Sequence, residues 1–153
     1  MINILFVCSG GTCRSAMANA ILKNDIKSKN IKGLACSSAG LFVTNETAMN
    51  DKAKTVLRQL GIRVTRHKAV QLDEEKLNKA TLVLTMTNNQ KMSILNKFPQ
   101  LATKTKSLKD YVGETEIEDP YGKSVSVYYM VARQLASACQ KIVLKLREEG
   151  KIK

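Results

Sequence analysis

The stretch Ile2-Asn3-Ile4-Leu5-Phe6-Val7, followed at once by Cys8-Ser9-Gly10-Gly11-Thr12-Cys13-Arg14-Ser15, decides how this chain is read. Its first part is a short apolar run, the mark of a strand buried on both faces. Its second part places two glycines in a turn, where positive φ angles aim successive backbone N–H groups into one concavity. From about Ser15 through Leu22 and on to about Asn24 the pattern becomes helical. A helix start adds free N–H groups and a positive dipole end to the same concavity. Arg14 brings a planar fork that grips two oxygens of a phosphate and stays charged. Beside that cation and helix end, Cys8 is expected to be a thiolate. The unit reads as a phosphate loop: Cys8 the nucleophile, Arg14 the clamp, with Ser9, Gly10, Gly11, Thr12 and Cys13 lining the cradle. A cysteine after a strand is often just a small buried hydrophobe. The flanking strand and helix and the paired glycines favour chemistry.

The same alternation continues along the chain. Gly33 to Ser38 reads as a strand, and Asn50 or Asp51 opens a helix carrying Ala53, Val56, Leu57 and Leu60, stopped by Gly61. A short helix over Asp73–Asn78 precedes a strand over Thr81–Thr85. Asn88 opens a helix with Met92 and Leu95 that ends before Pro99, and a weaker strand falls near Lys104–Ser107. The last helix, about Ser124 to Glu149, holds Val127, Val131, Leu135, Ala138, Ile142 and Leu146 at spacings of three and four, a core stripe. Alternating strands and helices imply an α/β fold: one domain over residues 1–153, with a four-stranded parallel sheet and helices on both faces. Ligands in such sheets sit at the carboxyl ends of strands, where the Cys8 loop lies.

The formal charge of +12 raises the question of nucleic acid. Lys141, Lys145, Arg147, Lys151 and Lys153 could form a stripe, yet the lysines are scattered, aromatics are few and no nucleic-acid motif occurs. A solvated basic surface that steers anionic phosphoproteins is expected instead. The chain enters a strand with no leader and has no apolar run of membrane-spanning length, so a cytoplasmic protein without a membrane partner is expected, as a monomer. Cys8, Cys13, Cys36 and Cys139 have no disulfide-framework or zinc spacing, and His67 is the single histidine. No metal and no cofactor are expected. His67 is read as a loop or helix-start residue.

Several segments together resemble the low-molecular-weight protein phosphatases, a cysteine-dependent family with a C-x5-R-S loop near the N-terminus. They are the Cys8 loop, Ser38-Ala39-Gly40, Leu82 to Thr87, Ser107-Leu108-Lys109-Asp110-Tyr111-Val112, and Asp119-Pro120-Tyr121-Gly122. The resemblance spans essentially the whole chain and implies a Rossmann-like four-stranded sheet and a phosphocysteine intermediate. It points to Asp119 as proton donor to the leaving group and then as base for water. Pro120 supports this, because it keeps Asp119 out of helical geometry on an extended loop. An Asp-Pro pair also starts ordinary turns. Tyr121 is expected to line the pocket wall or anchor that loop. Ser15 is expected to donate a hydrogen bond to the Cys8 sulfur and also to serve as a helix-start residue.

Two positions depart from the family pattern. Gly11 stands where a bracing asparagine is usual, and Ala16 where a proline usually begins the helix; both are expected to soften the loop. Thr12 matches the branch acting on protein phosphoarginine, where tyrosine-directed members carry isoleucine or leucine. Phosphoarginine is therefore the expected substrate and phosphotyrosine the alternative. The thiol-linked arsenate reductases need a relay of later cysteines that Cys36 and Cys139 do not provide. A redox-sensing or phosphate-binding module without turnover is the remaining class, given Cys8 and Cys13 in one loop.

Overall fold

β1 (Ile2–Cys8) sends alternate side chains to opposite sides of the sheet. Ile4, Phe6 and Cys8 join one core with Met17 and Leu22, Val56 and Leu57, and Leu135 and Ile142. Leu5 and Val7 join a second core with Leu77, Val83, Ile94 and Leu101. Burial on both faces is why this strand reads as a continuous apolar run rather than an alternating one. The computed structural model describes residues 1–45, 47–64 and 66–153.

Four parallel strands, β1, β2 (Leu34–Gly40), β3 (Leu82–Thr85) and β4 (Thr105–Ser107), lie in the order β2-β1-β3-β4. The first core is roofed by α1 (Arg14–Ser28), α2 (Asp51–Gln59) and α6 (Val125–Glu148); the second by α3 (Glu74–Lys79) and α4 (Asn88–Lys97). This is the expected α/β sheet with helices on both faces. The chain leaves β1 for β2 on one side and resumes with β3 on the other. That reversal opens a crevice at the carboxyl end of β1.

Helix starts follow side-chain chemistry. Asn50, Asp73 and Ser124 each accept a hydrogen bond from a backbone N–H of the helix they precede, so they are caps and the helices begin one residue later. Thr87 and Gln90 form a reciprocal capping box ahead of α4. Other boundaries also move: α1 begins at Arg14 and runs to Ser28, β2 extends to Gly40, and β4 begins at Thr105. A 3-10 turn (Pro99–Leu101) and the short α5 (Leu108–Val112) were not anticipated from the pattern.

Candidate active site

Cys8 is the last residue of β1, and its sulfur is held from below. The Ser15 hydroxyl lies 2.9 Å from Cys8 Sγ and the Ser15 backbone N–H points at it from 3.4 Å. Ser15 is wholly buried and its hydroxyl is committed to the sulfur, so it caps nothing. The residue at the cap position of α1 is Cys13, which makes no side-chain capping bond. Ser15 stands in the first turn of α1 as its second residue, without capping it, and its expected hydrogen bond to the sulfur is present. No side chain caps α1, and the Ser15 N–H in its first turn serves the Cys8 sulfur instead.

Nine of the ten expected site residues line one cavity of about 220 Å3: Cys8, Ser9, Gly10, Gly11, Thr12, Cys13, Arg14, Asp119 and Tyr121, together with Thr44. Ser15, the tenth, lies beneath its floor. Gly11 has φ of +76°, the left-handed conformation the turn demands.

The loop is braced by residues far away in sequence. A Cβ at Gly40 would lie 2.8 Å from the Gly10 carbonyl carbon and 2.9 Å from the Gly11 nitrogen, so only glycine lets the end of β2 approach this closely. The backbone N–H of Leu41 donates to the Cys8 carbonyl and that of Phe42 to the Ser9 carbonyl. His67 Nε2 lies 2.8 Å from the Gly11 carbonyl oxygen. Gln90 is buried; its amide donates to Ser9 Oγ at 3.2 Å while its carbonyl oxygen accepts from the N–H of Met86 and of Thr87. The brace missing at the Gly11 side chain is thus supplied through the Gly11 backbone. None of these braces was singled out from sequence; Ser-Ala-Gly and the lone histidine were the available signals. Gly40→Ala is expected to destabilise the fold by about 1–3 kcal/mol, the usual cost of overpacking, and to lower turnover because the loop must shift. Urea unfolding with a parallel activity assay checks this; unchanged stability would show spare room beneath the loop.

Arg14 is 5% exposed, so its guanidinium needs partners. Nη1 donates to the Ile117 carbonyl at 3.1 Å and Nη2 lies 3.8 Å from Asp119 Oδ2. The segment carrying both partners is pinned by Ile117 N–H to the Met86 carbonyl and by Asn88 N–H to Glu116 Oε1. Asp119 Oδ1 accepts from the Tyr121 N–H at 3.1 Å, a local turn that aims the other oxygen at Arg14. The Asp119 side chain stays 57% exposed at the cavity mouth.

The family model described as low molecular weight phosphotyrosine protein phosphatase matches residues 3–152. The chain belongs to that family. It is a cysteine-dependent protein phosphatase. It is 38% identical over 148 residues to a protein-arginine-phosphatase of Geobacillus stearothermophilus, covering 95% of this chain and 97% of that one. The solved structure of the YwlE arginine phosphatase from that organism superposes with a TM-score of 0.88. A low molecular weight protein tyrosine phosphatase from T. tengcongensis is 37% identical, covers 95% of this chain and 100% of its own, and has a TM-score of 0.89. A third structure, a YwlE arginine phosphatase in which serine replaces a cysteine and the active-site serine is phosphorylated, is 30% identical with a TM-score of 0.89, covering 95% and 96%.

The other thiols of this low-molecular-weight phosphatase differ from Cys8 in setting. Cys13 Sγ lies 3.6 Å from the hydroxyl of the fully buried Tyr128, and burial pushes its pKa up. Burial pushes the Cys36 thiol up to about 12 and the Cys139 thiol well above its ordinary value. Only Cys8 and Cys13 share the phosphate cavity.

Proposed function

We propose that the chain hydrolyses phosphoarginine in proteins through a phosphocysteine on Cys8. Cys8 Sγ attacks phosphorus in line, and the P–N bond to the guanidino nitrogen breaks. Arg14 and the loop amides hold the three equatorial oxygens as charge shifts. Asp119 gives its proton to the departing nitrogen. It then takes a proton from the water that cleaves the S–P bond, releasing phosphate and restoring Cys8. The observation that carries this reading is the Ser15 hydroxyl and N–H converging on Cys8 Sγ at 2.9 and 3.4 Å, beneath a cavity that Arg14 and Asp119 also line. The relative whose replaced residue, a serine, holds a phosphoryl group supports position 8 as the covalent one.

Identities of 38% and 37% to an arginine and a tyrosine phosphatase do not separate the substrates. The lining does favour one. Thr12, Thr44 and the half-exposed Asp119 side chain give the mouth a polar wall, suited to a hydrogen-bonding guanidino group. Tyr121, 64% exposed on the same rim, favours the alternative, since it could stack on a phosphotyrosine ring. The deciding measurement is kcat/KM on phosphoarginine and phosphotyrosine peptides, for wild type and Thr12→Ile. The phosphoarginine rate is expected to fall by more than the phosphotyrosine rate rises. An unpaired polar group in a tight site discriminates more strongly than the ~1–3 kcal/mol of an added apolar contact. A wild-type preference for phosphotyrosine, or a ratio that does not move, removes Thr12 as selector. The reading includes a cytoplasmic monomer that works without metal or cofactor.

A further inference from the structure

A second concavity, of about 510 Å3, lies between α2 and the segment that follows it, lined by Lys54, Arg58, Val64, Arg66, His67 and Lys68. Among the described residues, no carboxylate lines it. Among the described residues, the charged heads of Lys54, Arg58, Arg66 and Lys68 have no hydrogen bond or ion pair. Elsewhere among the described residues some surface lysines are matched, as in Lys76–Asp73, Lys79–Glu75, Lys91–Asp110 and Lys141–Glu114, while others such as Lys27, Lys32 and Lys109 stand singly; here four unmatched cations share one hollow. Four unmatched cations around one hollow repel one another, and concave protein walls focus their field. An anion seated there relieves the repulsion.

A separate observation links this hollow to the phosphate loop. His67 is half-buried in its wall, and its Nε2 meets the Gly11 carbonyl at 2.8 Å. A carbonyl only accepts, so Nε2 carries the proton. Burial, and then Lys23 and Lys54, hold the imidazole's pKa below its ordinary value against the opposing pull of the Gly11 carbonyl. The ring is therefore neutral at pH 7, with Nδ1 an unprotonated acceptor.

We propose that this hollow is a second anion site for a small ligand with clustered phosphoryl groups, and that occupancy reaches the catalytic loop through the His67–Gly11 hydrogen bond. The lining cations come from both α2 and residues 66–68, so a chain of phosphoryl groups can engage more of them than a single phosphate. The volume suits a small ligand, and among the described residues of its lining the one aromatic side chain is His67, already engaged with Gly11, a poor platform for stacked nucleic-acid bases. A bound anion favours a proton on Nδ1. The imidazolium then donates from both nitrogens, one to the ligand and one to Gly11, so binding and protonation reinforce each other. Binding is independent of the substrate reading; only its transmission rests on the loop being catalytic.

His67 is the one histidine of the chain, so its ring signals report without ambiguity in NMR. Inorganic tripolyphosphate added to the wild-type protein is expected to shift those signals saturably and to raise the pH midpoint of their titration. The variant Arg58→Gln/Arg66→Gln/Lys68→Gln is expected to bind about tenfold or more weakly, the loss of at least one charge-assisted hydrogen bond. Its basal hydrolysis of an aryl phosphate is expected to stay unchanged, which separates this result from the fate of the phosphatase reading. An equal shift in the triple variant would place tripolyphosphate in the Cys8 loop and overturn the proposal. So would no saturable shift in wild type, or tighter binding of an acidic peptide than of tripolyphosphate.

Discussion

Replacing Cys8 by serine is expected to bring steady-state turnover to background, a loss on the order of 10⁶-fold if this nucleophile matters as others do. Two causes act together. A serine hydroxyl is far harder to ionise at neutral pH than a thiol. Any phosphoserine that forms is also trapped, because an alkoxide leaves phosphorus much less readily than a thiolate. The surroundings favour a clean substitution: the Ser15 hydroxyl and N–H that face the sulfur come from α1 and do not depend on it for their position. Phosphate binding is accordingly expected to survive. Intact-protein mass spectrometry should find at most one phosphoryl group, on residue 8. Sustained turnover beyond one equivalent would remove Cys8 from the mechanism.

Asp119→Asn is expected to lower kcat by about 10²–10⁴-fold, the usual contribution of a positioned acid. The amide keeps the shape of the side chain, and its oxygen can still accept the Tyr121 N–H. The loss should therefore fall on kcat rather than KM. It should also grow with the basicity of the leaving group, being small for an acidic nitrophenol and large for a guanidine nitrogen. Rates for a series of aryl phosphates beside a phosphoarginine peptide test this. An equal loss across the series would make Asp119 a structural partner of Arg14 and nothing more.

How far the sequence could be read depended on the distance over which each feature is specified. Cys8, the loop after it and Arg14 fall within one strand–turn–helix, where a few residues specify the geometry, and all of them line the observed cavity. The helices announced themselves through caps and apolar spacing, with errors of a residue or a few at their ends. Contacts between distant segments were not legible. Gly40 matters for the side chain it lacks, beneath a loop some thirty residues earlier, and no local pattern displays that. His67 and Gln90 reach Gly11 and Ser9 across separations of 56 and 81 residues. Ser15 lies in the first turn of α1 as read, and the tertiary need of the sulfur, rather than a cap, takes its hydroxyl.

The Arg14–Ile117 hydrogen bond spans 103 residues and has a consequence for the order in which the machine comes into being. In the order of synthesis, the Cys8 loop and Arg14 precede Asp119, the proposed proton donor, by about a hundred residues. Bringing two such distant pieces together carries a loop-closure entropy that local contacts do not. The nascent protein therefore passes through a long interval in which its thiol is present but its acid is not. A chain released during that interval carries the proposed nucleophile without the proposed acid, so the two halves of the chemistry come together only after β1 and α1 have waited for the segment around Ile117.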